Sequence, residues 1–504
     1  MSRPKLVGPS ADTSLRAPDP RRGRWRLPSP SLLRVELLGG LVVALALIPE
    51  AISFSIIAGV DPKVGLYASF TMAVTIAIAG GRPAMISAAT GAMALVVVDL
   101  VHDHGVEYLF AAGILAGVFQ VVLGLVGAAR LMRFVPRSVM TGFVNALAIL
   151  IFVAQLPHLA GGDPTVFALV AVGLVIIYTV PRLTRVVPAP LVAIVLLTIF
   201  TVAFGIDVPN AGDEGALPDA LPLLGIPGVP FNLDTLRIIA PYALALSIVG
   251  LLESLMTARL VDDITETPSN KAREARGQGI ANIVTGCFGG MPGCAMIGQT
   301  MINVKASGAR TRLSTFAAGA FLLLLVVALG DVVAVIPMAA LVAVMILVSV
   351  STFEWHSIMP STLRRMPRGE TLIMLVTVAG TVTTSNLAIG VGLGVLTAMA
   401  IFAKRVSRLV SVTRTLDEAG QTATYVVTGE LFFASEQALE AAFTYRADPD
   451  HVVIDLTGAH LWDASAVAAL DAIEGHYRAR GTRLDVVGLN PPSRQLQAQL
   501  ALDA

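Results

Sequence analysis

The sequence Gly80-Gly81-Arg82-Pro83-Ala84-Met85-Ile86 returns 209 residues later as Gly289-Gly290-Met291-Pro292, followed two residues on by Ala295-Met296-Ile297. Each copy introduces a short, glycine-interrupted apolar segment. Paired interrupted segments in two halves of a membrane chain indicate a transporter's binding site. They predict two half-helices whose N-termini face each other near the middle of the membrane. The alternative is two coincidental loop turns, because Gly-Gly-x-Pro is a common combination in a chain with 45 Gly and 29 Pro.

The composition places this chain in a membrane. It has 504 residues, of which 55% are hydrophobic and 14% charged, and its mean hydropathy is +0.77. Soluble domains carry about 25% charged residues. The net charge of zero implies no bulk attraction to nucleic acid. The two cysteines, Cys287 and Cys294, fit no zinc motif and no disulfide framework, so we predict that they are small packing residues.

Fourteen apolar segments lie between about residues 34 and 408. A spanning helix needs about 20 apolar residues, and some of these segments are shorter or interrupted. The predicted spans are 36–58, 64–80, 84–102, 107–128, 136–156, 165–181, 188–205, 236–260, 272–290, 294–306, 311–330, 333–350, 368–386 and 388–406.

The distribution of Lys and Arg supports this count, because these residues concentrate in cytoplasmic loops. With the N-terminus inside, the predicted outer loops contain little positive charge apart from Lys63. An odd number of spans in each half then follows, seven and seven, so the halves form an inverted repeat. The predicted inner loops contain Arg82; Arg130, Arg133 and Arg137; Arg182 and Arg185; Lys271, Arg273 and Arg276; Lys305, Arg310 and Arg312; Arg364, Arg365 and Arg368; Lys404, Arg405 and Arg408.

The two ends of the chain differ from this apolar region. Residues 1–33 are rich in Arg, Pro and Ser and predict a disordered cytoplasmic arm. Residues 409–504 predict a small cytoplasmic α/β domain, with strands at 422–428, 451–456 and 483–489 and helices at 435–445 and 465–480. This domain has no phosphate-binding loop and no nucleophile motif, so we expect transport rather than enzymatic catalysis.

Two acids inside predicted spans are candidate functional groups. Glu50 follows Pro49 in the first span, and Glu253 lies in the eighth, with Thr257 four residues on along the same helix face. A mid-membrane carboxylate costs about 2.5–3.5 kcal/mol on insertion scales, so each should face a cavity or a partner. We expect Pro49 to break its helix locally. The Glu253 carboxylate and the Thr257 hydroxyl together could bind a proton or a sodium ion. The alternative is that the Thr257 hydroxyl donates to a backbone carbonyl of its own helix.

The predicted half-helices begin at Ala88-Ala89-Thr90-Gly91 and at Gly298-Gln299-Thr300. Free amides and the positive end of a helix dipole make such starts anion sites, and Thr90 and Thr300 are candidate caps. Because no Lys or Arg is positioned there, at least one nearby acid should be protonated or paired with a cation when the anion binds.

Other polar residues in the apolar region are weaker candidates for a functional role. Gln120, Asn145 and Gln155 are expected to bridge helices. His102-Asp103-His104 could suggest a metal pair, but a solvated turn is the favoured interpretation. We expect no metal and no cofactor.

Three stretches resemble the SulP anion permeases. They are Ile48-Pro49-Glu50 through Gly65-Leu66-Tyr67-Ala68-Ser69-Phe70, the region from Gly289 to Ser314 that includes Ile297-Gly298-Gln299-Thr300 and Asn303, and a tail similar to a STAS domain. The tail carries Val453-Ile454-Asp455-Leu456 and Asp463-Ala464-Ser465. The last motif is shorter than the Asp-Ser-Ser-Gly of antagonist STAS proteins, which weakens the case for regulation at Ser465.

The resemblance implies a fourteen-span α-helical membrane protein built as a seven-plus-seven inverted repeat, followed by a STAS-like α/β domain. It implies a core of about residues 34–130 and 236–330, a gate of about 131–235 and 331–408, and a homodimer. The family's binding region falls on Glu50, Phe54, Thr90, Glu253, Thr257, Gly298, Gln299 and Thr300. The half-helix argument adds Ala89 and Gly91 to the predicted anion-binding residues. Many relatives have Gln at the position of Glu50 and a basic residue at that of Gln299, which favours cation-coupled uptake here over chloride exchange.

These observations predict a bacterial inner-membrane symporter of a small anion, with both termini in the cytoplasm. The expected substrate is a dicarboxylate such as fumarate, bicarbonate or sulfate, coupled to protons first and sodium second, and carried by an elevator motion. The alternatives are a nucleobase permease of the same fold and a membrane scaffold whose STAS-like domain recruits a cytosolic enzyme. Membrane lipid, the transported anion and the coupling ion are the other expected partners, and no nucleic acid is expected.

Overall fold

The computed structural model describes residues 30–127, 135–160, 163–183 and 188–500. These residues divide into two compact units. The first contains the described residues up to Met366 together with Met374–Leu393, and the second contains Pro367–Ile373 and the described residues from Gly394 onward.

The apolar region is almost entirely helical. Its elements are α1 (Pro30–Ala58), α2 (Pro62–Ala79), β1 (Ser87–Ala89), α3 (Gly91–His104), α4 (Val106–Leu125), α5 (Arg137–Val153), α6 (Leu156–Ala160), α7 (Pro164–Leu183), α8 (Ala189–Ala203), α9 (Leu233–Thr265), α10 (Lys271–Cys287), β2 (Gly293–Ala295), α11 (Ile297–Met301), a π-helical turn (Ile302–Ala306), α12 (Arg312–Ala328), α13 (Gly330–Ala334), α14 (Met338–Thr352), a 3₁₀ turn (Trp355–Ile358), α15 (Pro360–Arg365), α16 (Arg368–Thr384) and α17 (Leu387–Ser407).

Each predicted span has a helical counterpart in this order. Seven of the described helices are long and apolar enough to cross a membrane on their own. The third and tenth spans are the interrupted ones: helix begins only at Gly91 in the former, and the latter is a five-residue α-helix followed by the π-helical turn. The protein is therefore a multi-pass membrane protein with the expected pair of broken segments.

Two predictions about α1 need correction. The helix begins at Pro30, inside the arm predicted for residues 1–33, and the rest of that arm lies outside the described residues. Helix α1 also continues through Pro49 rather than breaking there. An interior proline removes one N–H from the helix ladder and crowds the carbonyl four residues earlier, and the surrounding helix of 29 residues accommodates both effects.

The interruptions of the two halves pair with each other. Strand β1 runs antiparallel to β2, with Ala88 opposite Cys294 at the centre. The glycine before each strand is needed because backbone from elsewhere in the chain lies against it. A Cβ on Gly81 would clash with the backbone oxygen of Asn270, and one on Gly290 would lie 2.8 Å from the backbone nitrogen of Ala68. In each half, the second glycine of the Gly-Gly pair therefore lets backbone from the other half approach.

Two of the predicted inner-loop cations, one from each half, meet at one end of the helices. Arg82 donates to Asp262 at 3.0 Å, and Lys271 donates to the same carboxylate at 2.7 Å. Glu274 accepts from the backbone amides of Gly81 at 2.7 Å and Arg82 at 2.9 Å. These bonds tie the loop before β1 to the ends of α9 and α10.

The long connection between α8 and α9 has two sets of attachments. Its early residues exchange backbone hydrogen bonds with the segment that leads into α14, and its later residues reach α2, α4 and α10. The first set joins Pro209, Ala211 and Gly212 to Met338, Ile336 and Ala334, and the second joins Ala216, Ala220, Gly225 and Gly228 to Lys63, Tyr67, Cys287 and Glu107. Gly215, with φ of 139°, lies between the two sets.

The C-terminal domain is a sheet with helices. It contains β3 (Ser411–Leu416), β4 (Thr422–Leu431), α18 (Glu436–Glu440), β5 (His451–Leu461), α19 (Ala464–Arg478), β6 (Arg483–Val487) and α20 (Pro491–Leu500). The strand order is β3-β4-β5-β6, antiparallel for the first pair and parallel for the other two. The three predicted strands and the second predicted helix are present, α18 is shorter than predicted, and β3 and α20 were missed.

Two aspartates organise this domain. Asp448 accepts hydrogen bonds from Arg414 at 2.7 Å, Tyr425 at 2.8 Å and Tyr477 at 2.6 Å. Burial would raise the pKa of Asp448, but these bonds outweigh it and hold the pKa below its usual value. Asp463 caps α19 by accepting from the amide of Ala466 at 3.0 Å. The predicted motif at Asp463 thus has a structural role.

We expect the contact between α4 and α10 to tolerate no larger side chain. A Cβ on Gly279 would lie 2.5 Å from the backbone oxygen of Gly117. Gly279→Ala should therefore lower the apparent melting temperature of the detergent-purified protein, because overpacking costs about 1–3 kcal/mol. Gly392→Ala in α17 is the control, since its Cβ would meet no described atom within 4 Å. Equal melting temperatures for the two variants would contradict the close contact.

Candidate functional site

The strand pair determines where the two half-helices begin. Helix α3 starts at Gly91 with Thr90 as its N-cap, whose hydroxyl accepts from the amide of Met93 at 3.4 Å. Helix α11 starts at Ile297 after Met296, which makes no side-chain cap. Both helices thus begin directly after strands that are hydrogen-bonded to each other, and the two helix starts lie on either side of one crossing.

Buried polar side chains hold β2 in place. Asn282 on α10 accepts from the amide of Gly293 at 2.8 Å and donates to its carbonyl at 3.0 Å. Ser254 on α9 accepts from the amide of Ala295 at 3.1 Å. A Cβ on Gly293 would clash with the carbonyl oxygen of Ala88, so the close strand pairing requires glycine there. Together these contacts supply the hydrogen-bond partners that the interrupted backbone needs and that lipid cannot provide.

Thr300 does not cap α11, contrary to the prediction. The helix begins three residues earlier, so Thr300 lies within it. Its hydroxyl accepts from the amide of Ile86 at 3.0 Å. Because Ile86 directly precedes β1, Thr300 joins the second broken segment to the first.

Glu50 is bonded to the second broken segment. The side-chain amide of Gln299 donates to the Glu50 carboxylate at 2.8 Å. Gln299 is buried, with 2% of its surface exposed, and its carbonyl oxygen has no hydrogen-bond partner among the described residues. A buried, unpaired acceptor beside a half-helix start is a group that a ligand or a water molecule can satisfy.

Glu253 is the centre of a second set of contacts. The Cys294 thiol donates to the Glu253 carboxylate at 2.9 Å and lies 3.2 Å from the Thr90 hydroxyl. Thr257 lies on the same helix face as predicted, but its hydroxyl donates to the backbone carbonyl of Glu253 at 2.8 Å. The Thr257 hydroxyl therefore donates its proton within its own helix, which was the alternative to its binding a coupling ion.

Cys294 was not predicted to be a site residue. A cysteine two residues after Pro292 in an apolar chain looks like a small packing residue, and nothing in its spacing indicates Glu253 as a partner. Asn282 was also missed. The sequence signal that could have found Cys294 was its position beside the repeated Gly-Gly-x-Pro motif.

The two half-helix starts differ in the space around them. A Cβ on Gly91 would lie 2.9 Å from the ring of Phe54 and 3.1 Å from Ile151 on α5. Phe54 itself is buried, as is Ala89 in β1. Gly298, by contrast, is exposed, and a Cβ there would meet no described atom within 4 Å. The open space beside the predicted site residues is therefore at Gly298.

The other polar candidates have mixed outcomes. Gln120 bridges α4 to Asn282 at 2.9 Å, and Asn145 bridges α5 to Ser357 at 2.8 Å. Gln155 instead donates to the carbonyl of Ile151, in the helix that precedes it, at 3.3 Å. His102 and Asp103 form an exposed pair 3.0 Å apart at the end of α3. Among the described residues, no group of three or more His, Cys, Asp or Glu side chains could hold a metal ion.

The sequence has a close match among known protein families. It matches the model of the sulfate permease family over residues 33–167 and 163–377, and that of the STAS domain over residues 413–504. The chain belongs to the sulfate permease family. It is 55% identical over 469 residues to the putative sulfate transporter YbaR of Bacillus subtilis, covering 93% of this chain and 97% of that protein. It is 27% identical to the bicarbonate transporter BicA of Picosynechococcus sp., covering 88% of this chain and 86% of that one.

Solved structures agree with this assignment. The transmembrane domain of a cyanobacterial bicarbonate transporter BicA matches with a TM-score of 0.64 at 28% identity, over 72% of this chain and 98% of that one. The murine Slc26a9 anion transporter matches with a TM-score of 0.79 over 99% of this chain and 96% of that one. At 15% identity the latter shows a shared fold alone. The inverted-repeat helical fold with a C-terminal STAS domain is thereby confirmed.

Gly298→Ala tests whether the open space at α11 receives the anion. We expect this variant to keep wild-type thermal stability, because its methyl group meets no described atom within 4 Å. The methyl would occupy ligand space and raise the anion KM by about 10-fold or more, the range of one misplaced methylene in a binding pocket. The control is again Gly392→Ala, and anion uptake is measured in proteoliposomes. Unchanged KM in the Gly298 variant would place the anion elsewhere.

Proposed function

We propose that this protein is a proton-coupled symporter of a small oxyanion, with sulfate as the first candidate. The observation that carries the proposal is the convergence of both intramembrane acids on one broken segment. Gln299 in α11 contacts Glu50, and Cys294 in β2 contacts Glu253. An anion at the half-helix starts and a cation at the acids would therefore lie on one connected unit.

The anion is proposed to bind the amides at the starts of α3 and α11. Helix N-termini attract anions through free N–H groups and the helix dipole. Within the described residues no Lys or Arg is hydrogen-bonded or ion-paired to Glu50, Thr90, Glu253 or Gln299. The anion's charge must then be offset by cations on the two acids. Because there are two carboxyl groups, a divalent anion can be accompanied by two protons.

The coupling ion is proposed to be the proton. Sodium and other hard cations prefer a shell of several oxygen ligands. The carboxylate of Glu253 instead has a thiol at 2.9 Å, and the nearby Thr257 hydroxyl is engaged with a backbone carbonyl. A proton needs only the carboxylate itself, so this environment favours protonation over sodium coordination.

The choice of anion follows from the coupling ion. The relative YbaR, at 55% identity, is named a putative sulfate transporter. Proton-coupled entry of bicarbonate would deliver the equivalent of carbon dioxide, which crosses lipid without help, so bicarbonate belongs with the sodium-coupled alternative. A dicarboxylate such as fumarate is the second candidate, since two carboxyl protons offset its charge equally well.

An uptake panel in proteoliposomes tests the proposal. Labelled sulfate should accumulate when an inward proton gradient is imposed and should not respond to sodium. Sodium-driven uptake of bicarbonate would favour the alternative symporter, and uptake of uracil or xanthine would favour a nucleobase permease. No flux of any solute would leave only the scaffold interpretation.

Glu253→Gln should abolish proton-driven accumulation of sulfate while leaving downhill exchange measurable. The amide keeps the shape of the side chain and loses the group that binds the cation. Asp234→Asn is the matched control, because Asp234 is on the same helix with 83% of its side chain exposed. Concentrative uptake at the wild-type level in the Glu253→Gln variant would exclude Glu253 as the coupling group.

An elevator motion of a core against a gate is proposed for alternating access. The anion and both acids belong to helices α1, α3, α9 and α11, which the strand pair and Thr300 connect into one body. The linker between α8 and α9 supports separate movement of two bodies. Its first part is attached near α14 and its second part to α2, α4 and α10, with Gly215 between them.

A disulfide across the proposed core–gate boundary should stop transport reversibly. Ile57 on α1 and Leu341 on α14 line the same small cavity. A crosslink between the cysteines of the Ile57→Cys/Leu341→Cys pair, formed by oxidation or by a short reducible thiol crosslinker, should block uptake until reductant is added. The control pair is Thr71→Cys/Thr285→Cys within the core, where the two hydroxyls are 2.8 Å apart. It should leave turnover intact when oxidised. Full transport with the core–gate pair crosslinked would contradict an elevator.

Three further properties stay predictions. They are the homodimer, the cytoplasmic location of both termini, and recruitment of a cytosolic partner by the STAS domain. The proposed site lies wholly within residues 50–300, so the binding of anion is not expected to require the STAS domain.

A further inference from the structure

We propose that Cys294 is the positioning residue through which the coupling-ion group and the anion site communicate. This inference rests on the proposed function, and it assigns to one side chain the coupling that any symporter needs. Cys294 occupies the centre of β2, opposite Ala88, and is fully buried. It is the one residue in the described structure whose side chain is bonded both to Glu253 and to the cap of α3.

The three side chains form a directed chain of hydrogen bonds. The Cys294 thiol has one proton, which it donates to the Glu253 carboxylate at 2.9 Å. The contact of 3.2 Å between Cys294 and Thr90 must then use the Thr90 proton, with sulfur as the acceptor. While no cation is bound to the Glu253 carboxylate, the hydroxyl proton of Thr90 is therefore directed toward the sulfur and away from the start of α3.

A cation on Glu253 would reverse this chain. When a proton binds the carboxylate, the new O–H of Glu253 can donate to the Cys294 sulfur, which displaces the thiol proton from that contact. The thiol can then donate to the Thr90 oxygen, and the Thr90 hydroxyl is released to donate to an anion at α3. No covalent bond to carbon or sulfur changes, because each hydrogen stays on its own heavy atom and only rotates. The cation thus adds one hydrogen-bond donor to the anion site.

Few other groups compete for these partners. Within the described residues the Glu253 carboxylate has no ion pair, and Cys294 is its hydrogen-bonding neighbour. The other acid of the site, Glu50, is bonded to Gln299 instead. Cys287, the second cysteine, is partly exposed at the end of α10, and the described hydrogen bonds of the two acids do not involve it. It is therefore a matched control.

The test measures how strongly the coupling ion improves anion affinity in the full-length protein. Sulfate KM is determined in proteoliposomes over a series of proton concentrations and, separately, of sodium concentrations. The ratio of KM without and with saturating coupling ion is the coupling factor, which is typically about 5–150 for linked sites. The variants are Cys294→Ser, Cys294→Ala and Thr90→Val, with Cys287→Ala as the control.

We expect Cys294→Ala and Thr90→Val each to lower the coupling factor toward one, and their double variant to lower it no further, since both break one chain. Cys294→Ser should keep most of the coupling, because a hydroxyl can both donate and accept.

A residue with only a packing role would change KM by the same factor at every ion concentration. The proposal is overturned if Cys294→Ala keeps the wild-type factor, or if Cys294→Ser loses as much as Cys294→Ala. Wild-type uptake that ignores every cation would instead refute the proposed symport, which separates the two failures.

Discussion

The rest of this structure depends on one constraint: a helix that breaks inside a membrane must still satisfy its backbone hydrogen bonds. The protein meets it by pairing the two breaks with each other, β1 against β2, with Ala88 opposite Cys294. Asn282 and Ser254 then bond the backbone of β2, and Thr300 bonds the amide of Ile86 before β1. The same polar contacts that make the break possible also position the two helix starts and the residues that contact the two acids.

The inverted repeat explains why the contacts cross between halves. Each half supplies a broken segment that cannot be satisfied alone, so the second glycine of each Gly-Gly pair lies against backbone of the other half. The loop before β1 is anchored in the same way, by Glu274 of α10 bonding the amides of Gly81 and Arg82. Stability and site geometry are therefore not separable here, since the bonds that fold the core also orient Thr90 and Gln299.

Much of the fold could be predicted from sequence, because long apolar runs identify membrane spans and the placement of Lys and Arg identifies the cytoplasmic loops between them. The two acids, Glu50 and Glu253, were identifiable for the same reason: a charge in an apolar span is conspicuous. The start of α11 could not be predicted to the residue, because the residue at its N-cap position, Met296, is not a capping residue. The nearby Thr300 is one, and it was wrongly expected to be the cap. Cys294 could not be predicted as a partner of Glu253, because 41 residues separate them and only the packing of β2 against α9 brings them together. The strand β3 alternates in exposure on a sheet edge and carries too few buried residues to stand out.

The central claim is that an oxyanion binds between the starts of α3 and α11. The most direct measurement is a structure of the full-length protein with selenate, a heavier analogue of sulfate, located by its anomalous scattering. We predict one strong peak within hydrogen-bonding distance of the amides that follow Thr90 and Ile297, adjoining Gly298. A protein that binds selenate in solution but shows its peak elsewhere, with both helix starts empty, would contradict this claim.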